Sequence, residues 1–104
     1  MLADPYGSII GGGEHADYDI EGIGNDFIAD TMDVSLIDKV YKIKDNEAFE
    51  KSKELAKKEG ILAGSSSGAA LAAGLKLAND IESGNIVVVL PDRGDRYLSK
   101  GLFD

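Results

Sequence analysis

The apolar run at residues 86–90 (Ile-Val-Val-Val-Leu) constrains the fold more than any other segment of this sequence. A short run of mostly β-branched residues with no polar face predicts a strand that is buried on both sides. Such strands occur in parallel sheets that are covered by helices. Pro91 ends the run, because proline cannot donate to the next position of a sheet ladder. We therefore predict an α/β fold, a three-layer sandwich with a parallel sheet in the middle.

A second strand and a helix are predicted immediately before this run. Residues 61–63 (Ile-Leu-Ala) form a short apolar segment, and a helix is predicted from about Ser67 to Glu82. The residues at helical spacing on its apolar face are Leu71, Leu75 and Ala78. A strand, a helix and a further strand of these lengths make a βαβ unit, which crosses over right-handedly onto a parallel sheet.

Shorter elements are predicted in the first half of the chain. We predict the end of a strand at residues 1–3, a helical turn at residues 34–39 and another strand at residues 40–43. Asp45 is a candidate N-cap for the helix that follows, since its carboxylate can accept hydrogen bonds from the first free amides. Gly60 suits the left-handed position after that helix.

A long loop is predicted at residues 5–26, which hold six of the thirteen glycines and the only histidine. Loops of this length in a compact domain often bind ligands or act as lids. Gly22-Ile23-Gly24 lacks the third glycine and the preceding strand of a dinucleotide-binding fingerprint. His15 is either a catalytic base or metal ligand, or a solvated loop residue. With no second histidine or cysteine in the chain, we favour the solvated residue.

Charge and composition exclude several classes of function. The chain of 104 residues has a net charge of −8, which disfavours nucleic acid and anionic membranes, because both attract clustered Lys and Arg. It contains no cysteine, so disulfides and thiolate metal sites are excluded. We recognise no signal peptide and no apolar segment of membrane-spanning length. We expect one domain, no bound metal and a cytoplasmic location.

Residues 64–68 (Gly-Ser-Ser-Ser-Gly), the serine loop, place three hydroxyls at the start of the predicted helix. Ligands of open α/β sheets bind beyond the carboxyl ends of the strands, where this loop is expected. Its glycines allow close approach of the backbone, and free amides at a helix N-terminus attract anions. One serine could serve only as an N-cap, but three exceed what a cap requires. The loop at residues 90–97 is expected at the same edge, as an anion site or an ion-paired turn.

Four segments, in the same order along the chain, resemble the cystathionine β-synthase and cysteine synthase family, the pyridoxal-phosphate enzymes of fold type II. They are residues 3–9 (Ala-Asp-Pro-Tyr-Gly-Ser-Ile), residues 21–28 (Glu-Gly-Ile-Gly-Asn-Asp-Phe-Ile), residues 59–70 around the serine loop, and residues 88–92 with 96–99 at the closing strand and turn. The resemblance covers nearly the whole chain, and the four matches are jointly specific. The first two favour cystathionine β-synthase-like members.

The resemblance implies pyridoxal 5'-phosphate as cofactor and assigns residues to its pocket. Ser66 aligns with the family's serine that hydrogen-bonds the pyridine nitrogen, and Ser67 aligns as its neighbour and as a cap. The other positions that align with the pocket, beside the substrate or the pyridine edge, are Gly22, Gly24, Pro91 and Asp92. A hydroxyl does not force the ring nitrogen to stay protonated, which suits β-replacement better than transamination.

The function that the resemblance implies is β-replacement, in which serine or O-acetylserine loses its β-substituent and a thiol or sulfide takes its place. The family's Schiff-base lysine lies N-terminal to the region that matches, and none of the nine lysines here aligns with it. Residues 1–104 are therefore expected to be the C-terminal part of the pyridoxal-phosphate-binding domain, a single incomplete domain with no catalytic residue. The expected partners are the missing N-terminal part and a second copy, since a homodimer is usual for the family. The alternative is a non-catalytic fragment or a domain that associates with a partner protein.

Overall fold

The computed structural model describes residues 1–95 and Leu102. The segment at residues 96–99, part of the family resemblance, lies outside the described residues. The elements, in chain order, are strand β1 (Leu2–Pro5), a 3-10 helix (Val34–Leu36), strand β2 (Val40–Ile43), helix α1 (Asp45–Glu59) and helix α2 (Ser65–Asp80). All five occur where the sequence predicts an element, to within a few residues.

Strands β1 and β2 form a parallel sheet, in which Leu2 pairs with Val40 and Pro5 with Ile43. Proline is tolerated at the end of the ladder, where the amide of the next residue, Tyr6, donates to the Ile43 carbonyl oxygen at 3.2 Å. Helix α2 packs against both strands, and α1 packs against α2. The predicted α/β class with a parallel sheet is confirmed.

The apolar run at residues 86–90 lies outside this sheet, contrary to its predicted place as a central strand. Among the described residues no strand pairs with it, and Val87 and Val89 are 90% and 72% exposed. Residues 61–63 form no strand either, and Ala63 makes only an isolated antiparallel bridge to Arg93. A central strand needs a ladder partner on each side, which an apolar run cannot supply for itself. The predicted βαβ unit is therefore wrong for the described residues.

Helix α1 ends as predicted at Gly60, whose φ of +68° is left-handed. The residues of its buried face are Ala48, Ser52 and Leu55. Asp45, however, is the first residue of the helix and not its N-cap, a position that Lys44 occupies. The Glu47 carboxylate accepts a hydrogen bond from the Lys44 amide at 3.2 Å. The N-terminal cap of α1 therefore does not use the carboxylate of Asp45.

Helix α2 buries a face of small residues instead of the predicted face with Leu71, Leu75 and Ala78. The alanines buried on it are Ala69, Ala72 and Ala73. Leu75, by contrast, is 44% exposed. The cause is the close approach of the two helices, since even a Cβ at Gly68 would overlap with the carbonyl oxygen of Ala48. Leucine side chains do not fit at such a contact, so they lie on other faces of the helix.

The core is correspondingly small and rich in alanine. Its buried residues are Ile20, Tyr41, Ile43, Ala48, Ala69, Ala72 and Ala73. In the part of the chain that the structure describes, no helix is both long and apolar enough to cross a bilayer.

The C-terminal end of α2 is held to β2 through Asp80. Lys39 Nζ and Tyr41 Oη donate hydrogen bonds to Asp80 Oδ2, at 2.9 and 2.7 Å. A carboxylate at a helix C-terminus is disfavoured by the helix dipole, and these two donors offset that effect. The hydrogen bond from Lys39, and then that from Tyr41, hold the pKa of the Asp80 carboxyl below its ordinary value of 3.8.

We expect the Asp80 carboxyl to titrate below pH 3.8 in the folded chain, and its midpoint to move up when Lys39 is replaced by glutamine. Because the folded-state pKa is depressed, the stabilisation is complete above the unfolded-state pKa and is lost as the pH falls through the folded-state value. The measurement is an NMR titration of the Asp80 carboxyl carbon. Lys57→Gln, at an exposed lysine of α1, is the control. Equal midpoints for Lys39→Gln and the parent chain would show that the pair does not form in solution.

Candidate functional site

The three serines of the serine loop form the first turn of α2. The helix begins at Ser65, and its N-cap is Gly64, which contributes no capping side chain. The amide of Gly68 donates to the Gly64 carbonyl oxygen at 3.1 Å. The amides of Ser65, Ser66 and Ser67 precede that hydrogen bond and carry the positive end of the helix dipole. The predicted capping role of Ser67 is wrong, because Ser67 lies inside the helix.

Each serine hydroxyl has a different environment, although all three residues are buried. Ser65 Oγ accepts from the Glu21 amide at 3.1 Å, and Ser67 Oγ donates to the Asp92 carbonyl oxygen at 3.5 Å. The Ser66 hydroxyl makes no hydrogen bond to any other residue that the structure describes, although Ser66 is only 2% exposed. The Ser66 hydroxyl is thus available to donate a hydrogen bond to a ligand at the first turn of α2.

Gly22 faces the Ser66 hydroxyl. Its φ of +89° lies in the left-handed region that favours glycine. A Cβ at this position would lie 3.8 Å from Ser66 Oγ and 4.0 Å from Ser66 Cβ. The missing side chain therefore leaves a space directly beside the hydroxyl. The structure brings together these two predicted site residues, which are far apart in the sequence.

Gly24 is placed differently from Gly22, at the base of the same loop. A Cβ here would lie 2.6 Å from Pro5 Cγ and 2.8 Å from Tyr18 Oη. Burial, and then the carboxylates of Asp4 and Asp26, raise the pKa of Tyr18, so the phenol at this contact is neutral. Gly24 thus serves the close packing of the loop against the end of β1.

Ser8 and Asp4 hold the long loop in place, although neither was predicted to be a site residue. Ser8 Oγ accepts from the Asn25 amide at 3.0 Å. Asp4 Oδ2 accepts from the Gly11 amide at 2.9 Å and from Lys42 Nζ at 2.6 Å. The only signal for these roles was the turn-forming pattern Asp-Pro-Tyr-Gly-Ser, which indicates a turn but not its partners.

The turn that follows the apolar run reaches the serine loop through its backbone. The Asp92 carbonyl oxygen accepts from the Gly64 amide at 3.4 Å, whereas Pro91 is exposed. Arg93 Nε lies 3.5 Å from Asp95 Oδ1, and both side chains are largely exposed. Of the two interpretations of this segment, the described residues support the ion-paired turn.

His15 lies in the exposed part of the long loop. Its Nε2 is 4.0 Å from Asp26 Oδ2, with both side chains more than half exposed. Within residues 1–95 and Leu102 there is no group of three or more His, Cys, Asp or Glu side chains that could hold a metal ion. The geometry matches the solvated loop residue that we favoured.

Comparison with known proteins gives one family and a consistent set of relatives. Residues 3–92 match the model of the family described as pyridoxal-phosphate dependent enzyme. The O-acetylserine dependent cystathionine β-synthase of Bacillus subtilis is 50% identical over 105 residues, which cover 100% of this chain and 34% of that protein. Cysteine synthase A of Escherichia coli K12 is 52% identical over 86 residues, covering 81% of this chain and 27% of that protein.

Solved structures give the same result. The O-acetylserine dependent cystathionine β-synthase of Helicobacter pylori superposes with a TM-score of 0.85 at 45% identity, over 98% of this chain and 33% of that one. A cysteine synthase of Entamoeba histolytica superposes with a TM-score of 0.90 at 36% identity, over 98% of this chain and 31% of that one. The chain thus spans about a third of the length of the curated relatives that it matches.

Proposed function

The chain belongs to the family of pyridoxal-phosphate-dependent enzymes, and from this premise we propose that it forms one wall of the cofactor pocket of a β-replacement enzyme. Residues 1–104 then make up the C-terminal part of a cofactor-binding domain of the cystathionine β-synthase or cysteine synthase type. The observation that carries the proposal is the Ser66 hydroxyl, which belongs to a nearly buried residue, bonds to no other described residue and faces the space beside Gly22.

The residues around Ser66 fit the ring of pyridoxal phosphate. A pyridine nitrogen accepts one hydrogen bond, and the Ser66 hydroxyl is a donor without another described partner. A flat ring also needs a neighbouring surface without a side chain, and a Cβ on Gly22 would fill the space 3.8 Å from Ser66 Oγ. We assign Asp92 and Pro91 to the ring edge, because the Asp92 carbonyl oxygen adjoins the serine loop. Gly24 supports the loop that carries Gly22.

The choice of serine at position 66 determines what this wall contributes to the chemistry. Bound pyridoxal phosphate supplies an electron-accepting ring for the loss of a β-substituent from an amino acid. Ser66 would present a neutral hydroxyl to the ring nitrogen, whereas a carboxylate at this position would hold a proton on that atom. The free amides at the start of α2 add a partial positive charge at the same place. This environment favours replacement at the β-carbon over transamination.

We propose serine or O-acetylserine as the amino-acid substrate, and a thiol or sulfide as the second substrate. The support comes from the relatives, which are an O-acetylserine dependent cystathionine β-synthase and several cysteine synthases. The Schiff-base lysine would come from the N-terminal part of such an enzyme, so we assign no catalytic residue to this chain. The homodimer and the cytoplasmic location stay predictions.

A chimaera with the Bacillus subtilis relative tests the proposal. Residues 1–104 replace the matching region of that enzyme, to which they are 50% identical. We expect the purified chimaera to show the visible absorbance of bound pyridoxal phosphate and to consume O-acetylserine only when a thiol or sulfide is present. A folded chimaera that neither binds the cofactor nor turns over would refute the proposal.

The second candidate function is that of a non-catalytic domain which associates with a partner protein. It is favoured by the exposure of the apolar run at residues 86–90, where Val87 is 90% exposed. An exposed run of this kind is a surface for pairing with another chain. Sedimentation of the isolated chain, with and without the N-terminal part of the Bacillus enzyme, discriminates the two. Association without cofactor binding would favour the second function, and cofactor binding on association would favour the first.

A further inference from the structure

The carboxylate of Asp45 binds a segment far from its own helix. Asp45 Oδ2 accepts from the Asp19 amide at 3.0 Å, and Oδ1 accepts from the Ile20 amide at 3.3 Å. Both oxygens are therefore occupied by consecutive backbone donors of the long loop. The N-cap of α1 is Lys44, so the Asp45 carboxylate does not cap the helix as predicted. Its hydrogen bonds go to the backbone of the long loop instead.

Ser52 makes a matching contact on the same helix, two turns further on. Its hydroxyl donates to the Gly64 carbonyl oxygen at 2.8 Å, and the side chain is fully buried. Residues seven apart lie on the same face of an α-helix. One face of α1 thus carries two side chains that each hold a backbone segment, the long loop at one end and the serine loop at the other.

The two held segments meet at the proposed cofactor contact. Ile20, held by Asp45, is two residues from Gly22, and Gly64, held by Ser52, is two residues from Ser66. Between them the Glu21 amide donates to Ser65 Oγ at 3.1 Å. The relative position of Gly22 and the Ser66 hydroxyl is therefore set by α1 from two sides and by one direct hydrogen bond.

We propose that Asp45 is a positioning residue, which holds the loop of Gly22 at the distance from Ser66 that a cofactor ring requires. This inference rests on the proposed function, because it assigns Asp45 a role in that same site. Asp45 touches neither Ser66 nor the space beside it in our assignment, and acts only through the backbone of residues 19–22.

Two substitutions of Asp45 in the chimaera test whether the affinity for pyridoxal phosphate falls with the number of hydrogen bonds removed. Asparagine keeps one acceptor oxygen and so one of the two hydrogen bonds, whereas alanine keeps neither. We expect Asp45→Ala to weaken the affinity for pyridoxal phosphate about tenfold, the equivalent of one hydrogen bond to a charged group, and Asp45→Asn to lie between alanine and the parent. Glu50→Gln, which removes a negative charge from an exposed position of α1, leaves the affinity unchanged.

Amide hydrogen exchange provides the readout that does not depend on the cofactor. In Asp45→Ala we expect faster exchange at the amides of Asp19, Ile20 and Glu21, with unchanged exchange in the middle of α1. In Asp45→Asn we expect one of the two held amides to remain protected. General unfolding would instead raise exchange throughout α1, so a loss of affinity accompanied by that pattern counts against a positioning role.

The outcomes separate this inference from the function on which it rests. If the parent chimaera fails to bind pyridoxal phosphate, the proposed function fails, and the positioning role fails with it. If the parent binds and Asp45→Ala binds equally well, only the positioning role is overturned. Unchanged exchange at Asp19 and Ile20 in Asp45→Ala overturns it as well. A graded loss from aspartate through asparagine to alanine, with local exchange and an intact α1, supports it.

Discussion

Replacing Gly68 with alanine is expected to lower the free energy of unfolding of the chain by about 2 kcal/mol. The added Cβ would overlap with the carbonyl oxygen of Ala48 and the hydroxyl of Ser52, and the first of these is backbone that no rotamer change can move. Overpacking of this kind costs up to about 3 kcal/mol, and the better helix propensity of alanine offsets up to about 1 kcal/mol of it. Urea denaturation followed by circular dichroism measures the difference.

Gly74→Ala is the matched control for this prediction, because it makes the same change in the same helix. The nearest atom to the new Cβ is the Cγ2 methyl of Val88, at 2.8 Å, which belongs to the apolar run outside the sheet, so this segment can shift without separating the two helices. We expect its free energy of unfolding to stay within about 1 kcal/mol of the parent. Equal effects at Gly68 and Gly74 would show that the two helices do not approach as closely as the structure indicates.

Replacing Gly24 with alanine is expected to lower the free energy of unfolding by about 3 kcal/mol. Its φ of +80° strains any L side chain, which costs about 1 kcal/mol or more. The Cβ would also lie 2.6 Å from Pro5 Cγ and 2.8 Å from Tyr18 Oη, so β1 and the loop have to separate. The same denaturation measurement applies.

Gly12→Ala separates the two causes. Gly12 has a similar φ of +94°, but a Cβ there meets no atom within 4 Å. It therefore reports the backbone strain alone, and we expect a loss of about 1 kcal/mol. If the two variants were equally destabilised, the packing of Gly24 against Pro5 and Tyr18 would contribute nothing.

Local signals predicted the elements of this fold well. The end of α1 at Gly60, the strand at residues 40–43 and the position of the serine loop at a helix N-terminus all depend on residues near in sequence. The same holds for the α/β class, since helical and strand-like segments alternate along the chain. Within the site, the family resemblance assigned Ser66 and Gly22 to one pocket, and the two residues are neighbours in the structure.

Long-range contacts were not predictable in the same way. The prediction of the buried face of α2 was wrong, because the close contact between Gly68 and Ala48 requires small residues. The spacing of the leucines does not reveal that contact. The apolar run at residues 86–90 indicates a buried strand but not the strands that would bury it. Asp45 was predicted as a cap because caps are local, whereas its partners, Asp19 and Ile20, lie 26 and 25 residues away.

Helix α2 is held in position by contacts at both of its ends and along one side. Its N-terminal turn carries Ser66, and its C-terminal Asp80 is bound by Tyr41 of β2 and by Lys39, which precedes that strand. Gly68 fixes its separation from α1. Because the helix is held at both ends and along its side, the Ser66 hydroxyl is held in place before any ligand arrives. Such preorganisation reduces the entropy that binding has to overcome.

The most direct test of the central claim is the affinity of the chimaera for pyridoxal phosphate when Ser66 is replaced by alanine. We expect the affinity to fall about tenfold and the NMR shift of the isotopically labelled ring nitrogen to change, because the hydrogen bond to that atom is lost. Ser83→Ala, at an exposed serine, should change neither quantity. A Ser66→Ala chimaera with the parent affinity and the parent ring-nitrogen shift would contradict the account.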